Sequence, residues 1–554
     1  MLTLPRAVWL LLALVPALTL ASVISARPGV NSDPGWGIVA AEQFLSSRSP
    51  SPMEMREADP SDLSRDHFGR VSWWPPSYQL VPLAFRAAGL DWGNALRATF
   101  VSGWIAGALG WGAIFAIVLG PTPLAAFSVG LLLLLRFSHA DAYIYSGGEF
   151  LLWAIAPYVV LINIVALRRS TSSHWTAAAG LLTPWLFLVK FNGAFLILGI
   201  GLVWTMFVLR RWIALRTWAI YAACGSASAY SIHLLGFPSG TTTFNPDVHL
   251  HLSWTVLWPL GGSLFAATDW DSLLRWLFQD PSKPILTDGH FEILYAVASL
   301  PVLVWVWKRA RELASAPAPD TYRDVFSVLA PVCLVTSGLL LAFVSAESRS
   351  PLIFARYLRI ESLMVLPFAL ATLYRLMAMR AVRARATGWA AFVAWLIVPA
   401  LYGGAALVDK GIFRAHQSQS LVGPFGIRYD SVGAGGNVAN IVAEIRSRVR
   451  PQSVLYLPSP DLGLAFLDYR FVIRHADFIS IDELSRARFD GRPAEGVVLV
   501  LPQQLRTNGK LSAIENSFTS IQEWREETLQ TSASWILVFG NSAPPPAAKA
   551  LSSG

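Results

Sequence analysis

An apolar, charge-poor run of about 20 residues is just long enough to cross a bilayer as a helix, and this chain is built from such runs. They fall near 7–26, 99–119, 123–137, 150–167, 175–190, 193–209, 216–235, 290–307, 325–345, 359–378 and 388–408. One of them alone would fit a buried soluble helix. All of them in 554 residues leave a polytopic membrane fold. Composition agrees: 14% of residues are charged, against about 25% in a typical soluble domain. The tightest junctions are the pairs around Pro121–Pro123 and around Lys190-Phe191-Asn192-Gly193. Cys224 and Cys333 both sit inside apolar runs, so neither a disulfide framework nor a zinc site is expected. The first run ends in the cleavable-looking Ala21-Ser22-Val23 and Ser25-Ala26. We read it as a retained first helix, because the loop after it suits a membrane enzyme.

The net charge is +8. Its cations do not form one patch, which argues against a nucleic-acid partner. They form short clusters in alternate connections: Arg168 and Arg169; Arg210, Arg211 and Arg216; Lys308, Arg309, Arg311 and Arg323; Arg375, Arg380, Arg383 and Arg385. Cytoplasmic connections carry such an excess. The expected topology is therefore a cytoplasmic N-terminus and a tail on the outer side of a bacterial inner membrane.

Three long segments then face outward: 27–98, 236–289 and 409–554. In the first, Ser72-Trp73-Trp74-Pro75-Pro76 opens an amphipathic stretch, Val71–Ala88, suited to lying in the membrane interface. Beyond about Phe413 the pattern changes. A helical period over Asn437–Arg448 precedes strand-like runs at Ser453–Leu457, Val497–Leu501 and Trp535–Phe539. The predicted fold class is an all-α polytopic domain over 1–410 with a C-terminal extracytoplasmic α/β domain over 411–542. Residues 543–554, rich in Pro, Ala and Ser, are expected to be disordered. Gly433-Ala434-Gly435-Gly436 follows no predicted strand and reads as a turn rather than a phosphate loop.

Polar groups at the outer helix ends are the candidates for chemistry, since a charge at bilayer depth is costly. Asp33, in Asn31-Ser32-Asp33-Pro34-Gly35, could act as a base or a metal ligand; Asp-Pro-Gly is also a turn sequence, and Asp33 could cap a helix starting near Gly35. Arg136-Phe137-Ser138-His139-Ala140-Asp141, followed by Glu149, ends the third run on the same side; His139-x-Asp141 could serve a metal or a base, or be a solvated loop. Lys190, Arg349, Arg356 and Arg359 are cations where the topology disfavours them. Arg suits a phosphate, whereas each one alone could simply snorkel to headgroups. Asp247, His249 and His251 resemble a metal site, though their alternation also fits one face of a strand.

The order of these features resembles the GT-C glycosyltransferase superfamily, in the branch of protein O-mannosyltransferases and the lipid A aminoarabinose transferase. It runs from an Asp-bearing loop after the first helix through Trp-Pro-Pro-x-Tyr, Arg136-Phe137-…-Asp141 and Lys190-Phe191-Asn192-Gly193 to Arg356-Tyr357-Leu358, over about residues 1–410. The resemblance implies inverting transfer of a sugar from a polyprenyl-phosphate donor to a hydroxyl of a glycan, lipid or protein acceptor. Asp33 would match the family's first-loop acid, the usual base, and Asp141 the second acid. Arg356 or Arg359 would match the cation near the donor phosphate, where Lys190 also sits. A divalent cation (Mg, Mn or Ca) is the only cofactor implied. Many relatives have Asp-Glu in the first loop, whereas Asp33 is followed by Pro34, a departure that bears on any paired-carboxylate metal site. The rival readings are a transporter or lipid flippase and a non-catalytic scaffold. Transporters often show internal repeats and charged or broken helices near the midplane, whereas here the polar candidates gather at outer helix ends without an evident repeat; the long, Trp-rich first loop argues mildly against a scaffold.

Overall fold

The computed structural model describes residues 6–25, 27–59, 62–71, 74–121, 123–236, 254–279, 285–347, 356–408, 425–427, 438–450, 452–458, 460–473, 496–519, 521, 523–529 and 535–541. Every apolar run expected from the sequence is helical. They become α1 (Arg6–Ser25), α4 (Trp92–Leu119), α5 and α6 (Pro123–Leu134, Arg136–His139), α7 (Gly148–Arg168), α8 and α9 (Ser173–Leu182, Trp185–Val189), α10 (Gly193–Leu209) and α11 (Leu215–Gly236). Further on come α14 (Asp288–Ser315), α15 (Tyr322–Glu347), α16 (Arg359–Ala378), and α17 with α18 (Val382–Ile397, Gly404–Val408). Among the described residues, six helices are long and apolar enough to cross a membrane, or up to seven if the broken α5–α6 pair, bent by 71°, is one span. That is fewer than the about 11 transmembrane helices the apolar runs predict, in part because α8, α9 and α10 are only 10, 5 and 17 residues long.

The bundle is tightened where small residues let backbones approach, the usual device when lipid removes the hydrophobic drive between helices. A Cβ at Gly107 of α4 would stand 2.3 Å from the Trp153 ring of α7. Some buried polar groups pair across helices. Trp204 donates to Asn163 Oδ1 (2.8 Å), and Asn163 donates to Thr183 Oγ1 (2.9 Å), so α7, α8 and α10 share one buried relay.

The second long outer segment is not all loop. It contains α12 (Trp258–Ala267), which is buried and packs among α14, α15 and α16, and the short amphipathic α13 (Trp270–Phe278). The first long segment also holds more than interfacial helix. β1 (Gly29–Val30) is followed by α2 (Ser32–Leu45), an antiparallel hairpin of β2 (Glu54–Asp59) and β3 (Asp62–Arg70), and α3 (Ser77–Ala87). The hairpin strands are charge-rich and lack a β-branched run, so nothing local announces them; Arg56 bridges to Asp66 across the pair at 2.5 Å. Arg86 of α3 and Trp92 of α4 both bind the buried Glu42 of α2, Trp92 at 2.8 Å, which fixes the three helices together.

The C-terminal unit contains α19 (Val438–Arg448), β5 (Val454–Leu457), α20 (Pro460–Ala465), β6 (Arg470–Ile473), β7 (Val497–Pro502), α21 (Gln504–Thr507), α22 (Lys510–Asn516), β8 (Glu523–Thr528) and β9 (Trp535–Asn541). Its sheet has the order β6-β5-β7-β9-β8, parallel over β6-β5-β7 and antiparallel from β7 onward. The three expected strands are β5, β7 and β9. β6 and β8 were not anticipated: β6 is four residues long, and β8, Glu-Trp-Arg-Glu-Glu-Thr, is the charged edge that discourages further pairing. The sheet shares a core with the first outer segment. Ile38 and Val39 of α2 are buried in one cluster with Leu455, Leu462, Phe466 and Ile473. Ile473 N donates to Glu57 Oε2 (3.3 Å), and Arg470 bridges Asp66 (3.0 Å). The expected turn at 433–436 and the expected disordered tail lie outside the described residues.

Candidate functional site

One long-range contact assembles the site. β1 pairs in parallel with β4 (Ile144–Tyr145), a strand of two residues. Gly29 N donates to Tyr143 O (2.7 Å) and Asn31 N to Tyr145 O (3.0 Å). This ladder lays the start of α2 beside the 141–149 loop. Asp33 then stands in the first turn of α2, where the helix dipole favours an acid. It is not the cap: Asn31 holds that position, without a side-chain cap bond.

The 141–149 loop wraps around Tyr78, the tyrosine of Trp-Pro-Pro-x-Tyr. Tyr78 is buried and stacks on Trp74 with ring centroids 5.9 Å apart. Tyr145 donates its hydroxyl proton to Tyr78 O (2.8 Å). Gly147 has φ +81°, and a Cβ at Gly148 would lie 2.2 Å from Tyr78 Oη, so glycine is required where the loop closes on the ring. Burial raises the Tyr78 hydroxyl far above its usual range, and the charges of Glu149 and Asp33 add to this.

Asp141 organises the loop from inside. It accepts from Ser146 Oγ (2.8 Å), Ser146 N (3.1 Å) and Gly147 N (3.1 Å), and only 6% of it is exposed. Its neighbour in the motif, His139, turns away. His139 is fully buried, lies edge-on to Tyr143, and is not among the residues lining the cavity.

The cations meet at Glu149, in the first turn of α7. Lys190 Nζ lies 2.5 Å and Arg356 Nε 3.3 Å from the same oxygen, Glu149 Oε1. Both cations also face the Tyr357 ring, at 5.1 and 5.5 Å from its centroid. Asn192 Nδ2 donates to Tyr357 O (2.8 Å), so the Lys-Phe-Asn-Gly turn and the Arg-Tyr-Leu turn are one unit. Burial lowers the Lys190 ammonium from its ordinary value, and Glu149 works against that shift. Arg359 is placed differently from Arg356. It lies over the Phe137 ring at 4.2 Å and donates to Ala266 O (3.1 Å), whereas the Arg356 side chain is half exposed.

These groups line one cavity of about 510 Å³. Asp33, Asp141, Glu149, Lys190, Arg356 and Arg359, all singled out in the sequence, share it. Asp247, His249, His251 and Arg349 lie outside the described residues. The wall not anticipated comes from the α12–α14 region: Asp269, Asp271, Arg275 and Asp288. Arg275 binds Asp271 (2.9 Å) and Asp288 (3.2 Å), and the Tyr295 hydroxyl donates to Asp271. Asp269 accepts from Phe137 N (3.1 Å), and burial raises its carboxyl. The i,i+4 pair Asp271/Arg275 on an amphipathic segment was the available signal for this wall. Arg136 turns at the α5–α6 bend to donate to Tyr402 Oη (2.6 Å).

Among the described residues no three His, Cys, Asp or Glu side chains converge as ligands. Glu149 is held by two cations and Asp141 by three N–H or O–H donors.

No protein-family model and no curated protein sequence matches the chain. Solved structures do share its fold. One is the crystal structure of ArnT from Cupriavidus metallidurans bound to undecaprenyl phosphate, with TM-score 0.51 and 13% identity, covering 96% of this chain and 98% of that one. Another is the same protein in the apo state, with TM-score 0.50 and 12% identity over the same shares. At that identity the likeness is one of fold. It bears out the expected GT-C-like architecture of a polytopic helical domain with a C-terminal α/β unit.

Proposed function

We propose that this protein is an inverting glycosyltransferase that moves a sugar from a polyprenyl-phosphate donor to a hydroxyl of an extracytoplasmic glycan, lipid or protein. The observation that carries the reading is the cavity itself. Lys190 and Arg356 converge on one carboxylate oxygen at the ends of membrane helices, with Asp33 and Asp141 in the same space. A fold shared with a protein crystallised with undecaprenyl phosphate supports it.

In this mechanism Glu149 keeps two cations in place until a phosphate arrives and shares their charge. Arg356, half exposed, offers a planar fork to the phosphate oxygens. The acceptor oxygen forms its bond to the anomeric carbon from the face opposite the phosphate. The bond between that carbon and the phosphate oxygen breaks, and its electron pair leaves on the carrier phosphate. Asp33 takes the hydroxyl proton. Asp141 is the weaker candidate for that role, because Ser146 and Gly147 already engage both its oxygens. No step is routed through a metal. The reading places the cavity on the outer face of a bacterial inner membrane, with the N-terminus cytoplasmic.

The test compares envelope glycans of a deletion strain and its parent, with complementation by the wild-type gene. Loss of one sugar substituent, restored on complementation, supports transfer and names the acceptor class. An unchanged envelope rejects it and favours the transporter or flippase reading.

A further inference from the structure

The far end of the bundle carries a second cavity. α7 starts at the first cavity and runs 21 residues to Arg168, which at 1.5 Å per residue separates the two by about 30 Å. The second cavity, about 770 Å³, lies between the α7–α8 and α10–α11 connections. Its polar lining consists of hydroxyls and guanidiniums, chiefly Ser170, Thr171, Ser173, Thr217, Arg211 and Arg216. Thr217 Oγ1 donates to Ser170 O (3.1 Å), tying the two connections together.

No carboxylate lines this cavity, and neither Arg211 nor Arg216 is ion-paired among the described residues. Arg211 also has φ +58°, just past the end of α10, in a conformation where glycine would be less strained. A long cation therefore stands where local backbone preference disfavours it. Leu209 and Leu215, 77% and 67% exposed, flank the two arginines on the chain.

We propose that this notch binds the phosphate-ester headgroup of an anionic lipid in the leaflet opposite the first cavity. Two guanidiniums without an acid partner among the described residues match phosphate oxygens, the surrounding hydroxyls supply further donors, and the exposed leucines suit acyl chains better than a soluble ligand.

The full-length protein in nanodiscs of phosphatidylcholine doped with phosphatidylglycerol tests this by native mass spectrometry. Wild type should retain phosphatidylglycerol selectively. Arg211→Ala/Arg216→Ala should weaken retention about tenfold or more, and Arg211→Gln/Arg216→Gln, which keeps much of the side-chain stem, should do the same with an unchanged unfolding temperature. Arg383→Ala/Arg385→Ala, removing two exposed cations from the first turn of α17, should retain the lipid as wild type does. Equal loss in that control would show a diffuse charge effect and overturn the site. So would full retention in the Gln variant. Displacement of the lipid by excess inorganic phosphate would overturn the lipid source in favour of a soluble phosphate ester.

Discussion

The two cavities at opposite ends of α7 handle charge in opposite ways. In the first, acids and cations interleave: Glu149 sits between Lys190 and Arg356, and Asp271 and Asp288 hold Arg275. In the second, Arg211 and Arg216 meet hydroxyls and no acid. An internally neutralised cavity holds its side chains in fixed positions and exchanges partners when substrate enters. An unneutralised one must take its counter-charge from outside. The first arrangement suits chemistry, and the second suits holding an anion.

The comparison breaks most sharply at Asp33. If the first cavity does chemistry, Asp33→Asn should lower the transfer rate by about 10²–10⁴-fold while donor binding persists. A merely structural acid would lose only its interaction with the helix dipole, about 0.3–1 kcal/mol of stability, and would leave the transfer rate in place. Single-turnover assays with both Asp33→Asn and Asp141→Asn decide the matter. Activity lost only in the Asp141 variant would move the base there.

Arg356→Lys comes next. Lys retains the charge and loses the fork, so donor binding should weaken by about tenfold. Arg359→Lys should cost both binding and stability, because Arg359 also anchors to Ala266 and stacks on Phe137. Wild-type donor affinity in both variants, measured by calorimetry, would remove the phosphate clamp.

Glu149→Gln makes the first cavity resemble the second. Lys190 and Arg356 lose their shared anion, so the empty protein should melt at lower temperature, while affinity for polyprenyl phosphate should rise severalfold. Tighter binding without the melting change, or the reverse, would separate positioning from neutralisation. The smallest expected effect is in pH. Because burial lowers Lys190, its positive charge, and donor affinity with it, should be lost as pH rises at a value below the about 10.4 of a free lysine. Lys190→Arg should move that loss upward; an unmoved profile would mean another group governs it.

Much of this cavity's lining is legible in the sequence. Asp33, Asp141, Glu149, Lys190, Arg356 and Arg359 stood out because ionisable groups at outer helix ends conflict with their surroundings, and local sequence exposes that conflict. Arg356 and Arg359 read as equivalent cations three residues apart. They are not, because Phe137 and Ala266 capture only Arg359. The acidic wall of Asp269, Asp271 and Asp288 was missed because α12 and α13, which flank Asp269 and of which α13 carries Asp271, are only 10 and 9 residues long, too short to stand out as membrane runs.

By itself the sequence determined the helices and the strands β5, β7 and β9. Each is written in a local period: apolar runs for helices and alternation for strands. Only the tertiary structure decided that β1 pairs with β4, that Tyr78 fills the space left by Gly147 and Gly148, and that α2 shares a core with the C-terminal sheet. These contacts join residues far apart along the chain. Their specificity lies in shape and in matched donors and acceptors, which no local window of sequence contains.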